Sequence, residues 1–353
     1  PTSNTMSIQH SGSVQIGYGL SQIYNSGGNA IGLVQNNSAP RTGETWPALI
    51  VNGRIEQDLP GNFHNVAIGL DSMVSASGPG PAQHSGLNVT GMHYNTSVGS
   101  FSARNANAKW QHGISIGFYS GPQPDTAGAP INTLSLKNTM IGSFTGGKIN
   151  GADDNVAIGY LSNSDLTTGQ RNTSIGNGAG KELTTGQGNV VIGYNSGNSI
   201  TTGTNNTGLG YQALYSNTTG ARHVAVGDGA LYYNTTGTHN TALGSLALQQ
   251  NTTGTYNTAV GYETLDANTT ASNNTAVGYA ALGANTTGTT NTAVGVNSLA
   301  ANTTGTSLVA VGKDALAANT TANFNLAVGQ AALSTCTTGE NNVAVGRAAS
   351  ANT

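Results

Sequence analysis

A short motif recurs at a constant step of 17 residues through most of the chain. The motif is Asn-Thr-Ala-Val-Gly or a close variant, and its last residue is called the bend glycine below. A step kept without slip over so many copies predicts a solenoid in which each repeat forms one rung. The thirteen bend glycines in this register are Gly142, Gly159, Gly176, Gly193, Gly210, Gly227, Gly244, Gly261, Gly278, Gly295, Gly312, Gly329 and Gly346.

The three residues before each bend glycine predict a β-strand. Thr275, Ala276 and Val277 are typical: a β-branched residue, a small residue and an aliphatic residue. The first and third share one face of an extended strand, and the second points to the other face. We expect the aliphatic columns to form the inside of the rung. We expect the small central residue to let another stretch of backbone approach closely.

The residues after the bend glycine predict a second strand and a turn. A small residue and a leucine follow, as in Ala281-Leu282, and they indicate a short strand with a second apolar column. Asn163, Gly180 and Gly197 break this column in the earlier rungs. The next residues are Asn-Thr-Thr-Gly or similar, and Asn and Gly favour a turn because they tolerate left-handed backbone conformations.

Composition supports an all-β protein. The chain holds 51 glycines among 353 residues, and only 7% of residues are charged, so the strong helix formers Glu, Lys and Arg are scarce. A net charge of −3 offers no attraction for nucleic acid. The absence of a long apolar run predicts no membrane insertion in this segment. A single cysteine, Cys336, allows no disulfide within the chain.

The predicted fold is a parallel β-solenoid or β-roll with 17-residue rungs. Stacked rungs lie about 4.8 Å apart, so equivalent residues form ladders along the stack. Each rung offers only two or three sizeable apolar residues, which is little for a single coil. We therefore expect copies to be intertwined or packed as an elongated homotrimer.

Two regions differ in regularity. Residues 138–353 form the regular repeat shaft, whose surface should repeat almost identically and should offer no unique patch. In residues 1–137 the motif recurs out of step, which predicts irregular rungs with inserted loops that act as a cap, an attachment segment or a binding region. Both tryptophans and five of the seven histidines lie there, and the candidate ligand contacts are Trp46, Phe63, His64, His93, Tyr94 and Trp110.

Enzyme chemistry has no support in the sequence. The histidines show no pair at metal-ligand spacing, and the Gly-x-Gly strings lack the βαβ context and lysine of a phosphate loop. We therefore predict no catalytic, cofactor-binding or metal-binding residues. Seven Asn-x-Thr sequons lie in the Asn-Thr-Thr turns and could carry glycans, but we favour a turn role for their asparagines: Asn217, Asn234, Asn251, Asn268, Asn285, Asn302 and Asn319.

A column of tyrosines follows several bend glycines. Tyr160, Tyr194 and Tyr262 belong to it, but other rungs carry Asp228 or Lys313 at the same place. Such rings could stack on sugars, and they could also simply cover the neighbouring rung. The sequence favours the second interpretation.

Tyr211-Gln212-Ala213-Leu214 and Tyr279-Ala280-Ala281-Leu282 stand in near-ideal copies of a longer pattern, Asn-Thr-Ala-Val-Gly-Tyr-x-Ala-Leu-x-x-Asn-Thr-Thr-Gly. The pattern resembles arrays in phage tail fibres and the shorter head repeats of trimeric autotransporter adhesins. The resemblance covers residues 138–353. It implies a structural fibre, the shaft or head of a homotrimeric tail fibre or cell-surface adhesin, located outside the cell on a virion tail or a bacterial surface.

The implied partner is a glycan or protein receptor on a target cell. Two alternatives stay open at this point. The chain could be a glycan- or protein-binding module that acts through its N-terminal loops, or it could be the repeating subunit of an extracellular filament.

Overall fold

The computed structural model describes residues 66–68, 95–99, 102, 110–122 and 135–350, and of residues 66–68, 110 and 111 it describes the backbone only. All regular structure in these residues is β-strand, and no helix occurs among them. The chain divides into two compact units, Pro1–Gly151 and Ala152–Thr353. We had placed the sequence boundary at 137/138, where the constant step begins.

Six short strands lie among the described residues of the first unit. β1, β2, β4 and β6 pair in parallel in chain order, with Val66 opposite Thr96, Thr96 opposite Ile114 and Ile114 opposite Thr139. β3 and β5 form a separate parallel pair. The strands are β1 (Val66–Ile68), β2 (Thr96–Val98), β3 (Trp110–Gln111), β4 (Ile114–Ile116), β5 (Ser135–Leu136) and β6 (Thr139–Ile141).

The described residues of the second unit form twelve strands of three residues, one before each bend glycine from Gly159 to Gly346. Each strand pairs in parallel with the next one along the chain, as Thr258 with Thr275 and Thr275 with Thr292. The strands are β7 (Val156–Ile158), β8 (Thr173–Ile175), β9 (Val190–Ile192), β10 (Thr207–Leu209), β11 (Val224–Val226), β12 (Thr241–Leu243), β13 (Thr258–Val260), β14 (Thr275–Val277), β15 (Thr292–Val294), β16 (Val309–Val311), β17 (Leu326–Val328) and β18 (Val343–Val345). The predicted all-β parallel solenoid with 17-residue rungs is confirmed.

In every strand of the second unit, the middle residue is the one that points inward. Ala259, Ala276 and Ala293 have no exposed surface, whereas their strand neighbours Val277 and Val294 keep 37% and 36% exposure. Our expectation that the aliphatic columns form the inside was therefore wrong for the strands. The interior is too narrow for large side chains on both sides, and the leucine column of the opposite side already occupies it.

The segment after the bend glycine is a turn and not the short strand that we expected. Leu248 and Leu265 are fully buried and have φ values of 52° and 51°, in the left-handed region. Their backbone N–H groups donate to carbonyls one rung away, Leu248 to Thr264 at 3.0 Å and Leu265 to Ala281 at 3.1 Å. Burial and hydrogen bonding between rungs thus offset the strain of a left-handed leucine.

The breaks in the leucine column are filled from three residues further along. Where Asn163, Gly180 and Gly197 replace the leucine, a buried Leu166, Leu183 or Ile200 occupies the interior. A Cβ added to Gly197 would lie 2.8 Å from the Ile200 Cδ1 atom. From the Gly210 rung onward the arrangement reverses, with Leu214 at the first position and Asn217 at the second. The interior therefore stays filled throughout.

Candidate binding surfaces

Two ladders of buried asparagines run through the interior of the second unit. In the first, the asparagine before most strands accepts through its Oδ1 atom from the backbone N–H of the next rung, as Asn172 does from Asn189 at 3.0 Å. Its Nδ2 atom donates to a loop carbonyl, that of Gly186, at 2.9 Å. Asn155, Asn172, Asn189 and Asn206 continue one another in this way. These bonds satisfy polar groups that could not otherwise be buried.

The second ladder consists of the asparagines that begin the Asn-Thr-Thr turns. Asn251 donates from Nδ2 to the Oδ1 atom of Asn234 at 2.8 Å and to the Gly254 carbonyl at 3.1 Å. All seven members, from Asn217 to Asn319, have no exposed surface. The nitrogen that a glycan would occupy is therefore buried and hydrogen-bonded in the folded chain. These asparagines support the loop, as we favoured, and they do so from the interior.

His223 stands in the first ladder, where most other rungs have asparagine. Its Nδ1 atom accepts from the Asn240 N–H at 3.2 Å, and its Nε2 atom lies 2.7 Å from the Gly237 carbonyl oxygen. These contacts require a neutral ring that carries its proton on Nε2, because Nδ1 has to accept. The imidazole thus reproduces the Oδ1 and Nδ2 atoms of an asparagine. Burial lowers the pKa of His223 to about 4, although the bond from Nε2–H to the Gly237 carbonyl acts in the opposite direction.

This histidine predicts a specific pH dependence of stability. Its pKa in the folded chain lies below the unfolded value of 6.5, so the unfolded chain binds the proton more readily. The stabilisation is complete above pH 6.5 and is lost as the pH falls toward 4, by about 3 kcal/mol in all. We expect His223→Asn to remove this part of the dependence. Chemical denaturation of both proteins between pH 7.5 and 4 would measure it.

The comparison variant is His239→Asn, since His239 lies half-buried one rung away, stacks on Tyr256 with ring centroids 4.8 Å apart and makes only the smallest of the contributions that lower the pKa of His223. Carboxylates such as Asp266 titrate in the parent and in both variants, so their contributions to the pH dependence of stability cancel in the comparison. Equal loss of stability in the parent and in His223→Asn would contradict the assignment of a neutral His223.

The outer face of the second unit's sheet is apolar and uncharged. Every outward strand position from Val156 to Val345 is Thr, Val, Ile or Leu. Several of these side chains are more than a third exposed, among them Val224 at 41% and Leu243 at 47%. A contiguous apolar surface that extends over twelve strands is typical of an interaction face.

A cluster of five tyrosines interrupts the regular surface. We call it the tyrosine patch: Tyr194, Tyr211, Tyr215, Tyr232 and Tyr233. Tyr194 stacks on Tyr211 with ring centroids 5.4 Å apart, and Tyr215 stacks on Tyr232 at 5.0 Å. Tyr233 meets Tyr232 edge-on at 4.5 Å. Our expectation that residues beyond 138 offer no unique patch was therefore wrong.

The candidate contacts predicted in the N-terminal region lie largely beyond what the structure describes. Trp46, Phe63, His64, His93 and Tyr94 are outside the described residues. The backbone of Trp110 belongs to β3, and its side chain is outside the description. The assignment of ligand contacts to these residues stays a prediction.

Among the described residues, no group of three or more His, Cys, Asp or Glu side chains is placed to hold a metal ion. Within the same residues, no helix is long and apolar enough to cross a membrane. Cys336 is buried and lies at the end of the second asparagine ladder. No known protein family, curated protein or solved structure matches the chain.

Proposed function

We propose that the chain is a structural fibre segment, the shaft or head of a homotrimeric tail fibre or cell-surface adhesin that attaches to a target cell. The observation that carries the proposal is the uncharged outer sheet face of the second unit. A rigid array of identical rungs acts well as a spacer, and such a face suits packing against further copies of the same chain. We place it outside the cell, on a virion tail or a bacterial surface.

The size of this face supports self-association. Twelve strands about 4.8 Å apart extend for about 53 Å, and the outward columns with the adjoining residue span about 13 Å across the sheet. The product is about 700 Å² per chain, so three copies facing one axis would bury about 2,100 Å² in all, more than the roughly 1,600 Å² of a standard two-chain interface. Because every rung repeats the same columns, copies can meet along the whole length of the unit.

Solution mass tests the assembly. A trimer of the 35.4 kDa chain would have a mass of about 106 kDa in light scattering or sedimentation. We expect Val277→Lys with Val294→Lys to shift this mass toward that of the monomer, because charges buried between copies are costly.

The matched control is Thr287→Lys with Thr304→Lys, which adds the same charges on exposed loop positions of adjacent rungs. This control should keep the parent mass. A folded parent that sediments as a 35.4 kDa monomer would overturn the homotrimer and, with it, the proposed fibre assembly.

A further inference from the structure

We propose that the tyrosine patch on the shaft is a binding site for a neutral glycan. The inference rests on the proposed attachment function and names a surface that could serve it within the regular repeats. A comparison of equivalent positions in different rungs supports it, because it shows which side chains the fold requires and which it does not.

The fold does not need these aromatic rings. At the position of Tyr232 later rungs carry Ala300 and Ala317, and at the position of Tyr233 they carry Ala301 and Ala318. Those rungs have the same strands and the same buried leucine column. The packing of the interior therefore does not require these rings, and we infer that they act at the surface.

The five rings belong to three consecutive rungs. Tyr211 and Tyr215 lie four residues apart in one rung, and each stacks on a tyrosine of an adjacent rung, Tyr194 and Tyr232 respectively. Tyr194, Tyr211 and Tyr233 keep 48%, 53% and 45% exposure. Mutual stacking restricts the rings before any ligand arrives, which reduces the entropy lost on binding.

The surroundings favour a sugar over other partners. Gln212 and Ser216 alternate with the rings along the chain and offer neutral hydrogen-bonding groups, and Asp228 is the only charged residue of the same turns. A pyranose ring presents an apolar face of C–H groups and a rim of hydroxyls, which matches tyrosine rings bordered by amides and hydroxyls. The near absence of charge favours a neutral glycan over an acidic one.

The test uses the complete chain and titration calorimetry with cellulose, chitin and galactan oligosaccharides, and with polygalacturonate oligosaccharides as an acidic comparison. We expect binding to at least one neutral oligosaccharide. The variant Tyr215→Ala, Tyr232→Ala, Tyr233→Ala should bind at least about tenfold more weakly. Because other rungs carry alanine at these positions, it should fold and melt like the parent.

The matched control is Tyr262→Ser with Tyr279→Ser, the stacked pair at 5.8 Å outside the patch, since Ser245 occupies the same column. It should bind like the parent. The proposal is overturned if no neutral oligosaccharide binds, if the triple variant binds as well as the parent, or if the control loses binding equally. A changed solution mass in the triple variant would instead make the patch a contact between copies, and would leave the proposed fibre assembly standing.

Discussion

Replacing one bend glycine by alanine should destabilise the solenoid by on the order of 4 kcal/mol. Gly261 has a φ of 137°, which residues with a side chain rarely adopt. A Cβ added there would lie 2.5 Å from the carbonyl oxygen of Gly278, the bend glycine of the next rung. The clash is with backbone that is held by the hydrogen bond from the Gly278 N–H to the Val260 carbonyl at 2.8 Å, so relief requires the rungs to separate.

The matched control is Gly229→Ala. Gly229 also has a positive φ, 63°, but an added Cβ would meet only the ends of flexible side chains, the nearest being the Leu246 Cδ2 atom at 3.2 Å. Another rung carries Ala280 at the same position with a φ of 50°. We expect a loss of about 1 kcal/mol for this change.

Hydrogen exchange is the appropriate measurement, because a repeat array can open locally without unfolding as a whole. In Gly261→Ala, the amides of the rungs on both sides of the substitution should lose protection, and distant rungs should keep it. Similar protection in the two alanine variants would contradict the role assigned to the bend glycine.

The solenoid could be predicted from the sequence because a constant step leaves few structural solutions. A rung of 17 residues with one three-residue β pattern can repeat without slip only if equivalent residues stack. Each strand pairs with its neighbours at equal sequence separation, as Ala259 with Ala276 and Ala276 with Ala293. The period alone therefore determines both the parallel direction and the register.

The inward face of the strand could not be predicted from the same pattern. In Thr-Ala-Val the alternation shows that two faces differ, but a small residue suits both a tight interior and a close contact with a neighbouring chain. The decision depends on Leu282 and its equivalents, which fill the interior from the opposite side. Their left-handed conformation, with a φ of 51° for Leu282, has no signal in a residue type that ordinarily avoids it.

The asparagines show a similar ambiguity. Asn is common in turns, so Asn251 in Asn-Thr-Thr-Gly reads as a surface turn residue. The ladder that buries it is a property of stacking, since each amide finds its partner in an adjacent rung. The role of His223 was equally hidden in the sequence. Only the contacts of its two ring nitrogens, with Gly237 and Asn240, show that it replaces an asparagine of the ladder.

The interior of a rung is filled either from the first position after the bend, as by Leu214, or from the second, as by Ile200. Changing Leu214 should therefore have the second large effect on stability. Leu214→Gly should cost about 3–5 kcal/mol, because it removes a fully buried side chain and leaves a cavity. Adding Asn217→Ile should recover much of this loss. The new isoleucine would continue the column of Leu166, Leu183 and Ile200 and would fill the space beside a glycine, as Ile200 does beside Gly197.

The recovery should be strong because Asn217 lies at the end of its ladder. Its Oδ1 atom accepts from Asn234 at 2.7 Å, and the preceding rung already carries Ile200 in place of an asparagine. The double variant therefore moves the boundary between the two arrangements by one rung. Asn217→Ile alone should destabilise by about 1–3 kcal/mol, because Leu214 leaves no room for the larger side chain.

A double-mutant cycle measures the coupling. We expect a favourable interaction of at least about 2 kcal/mol between Leu214→Gly and Asn217→Ile from chemical denaturation. The comparison cycle pairs Leu214→Gly with Asn285→Ile, four rungs away, and should be additive because the two residues share no partner. Additivity in the first cycle would show that the two positions do not fill the same space. Coupling in the first cycle alone would show that the chain maintains its interior volume by exchanging these two positions.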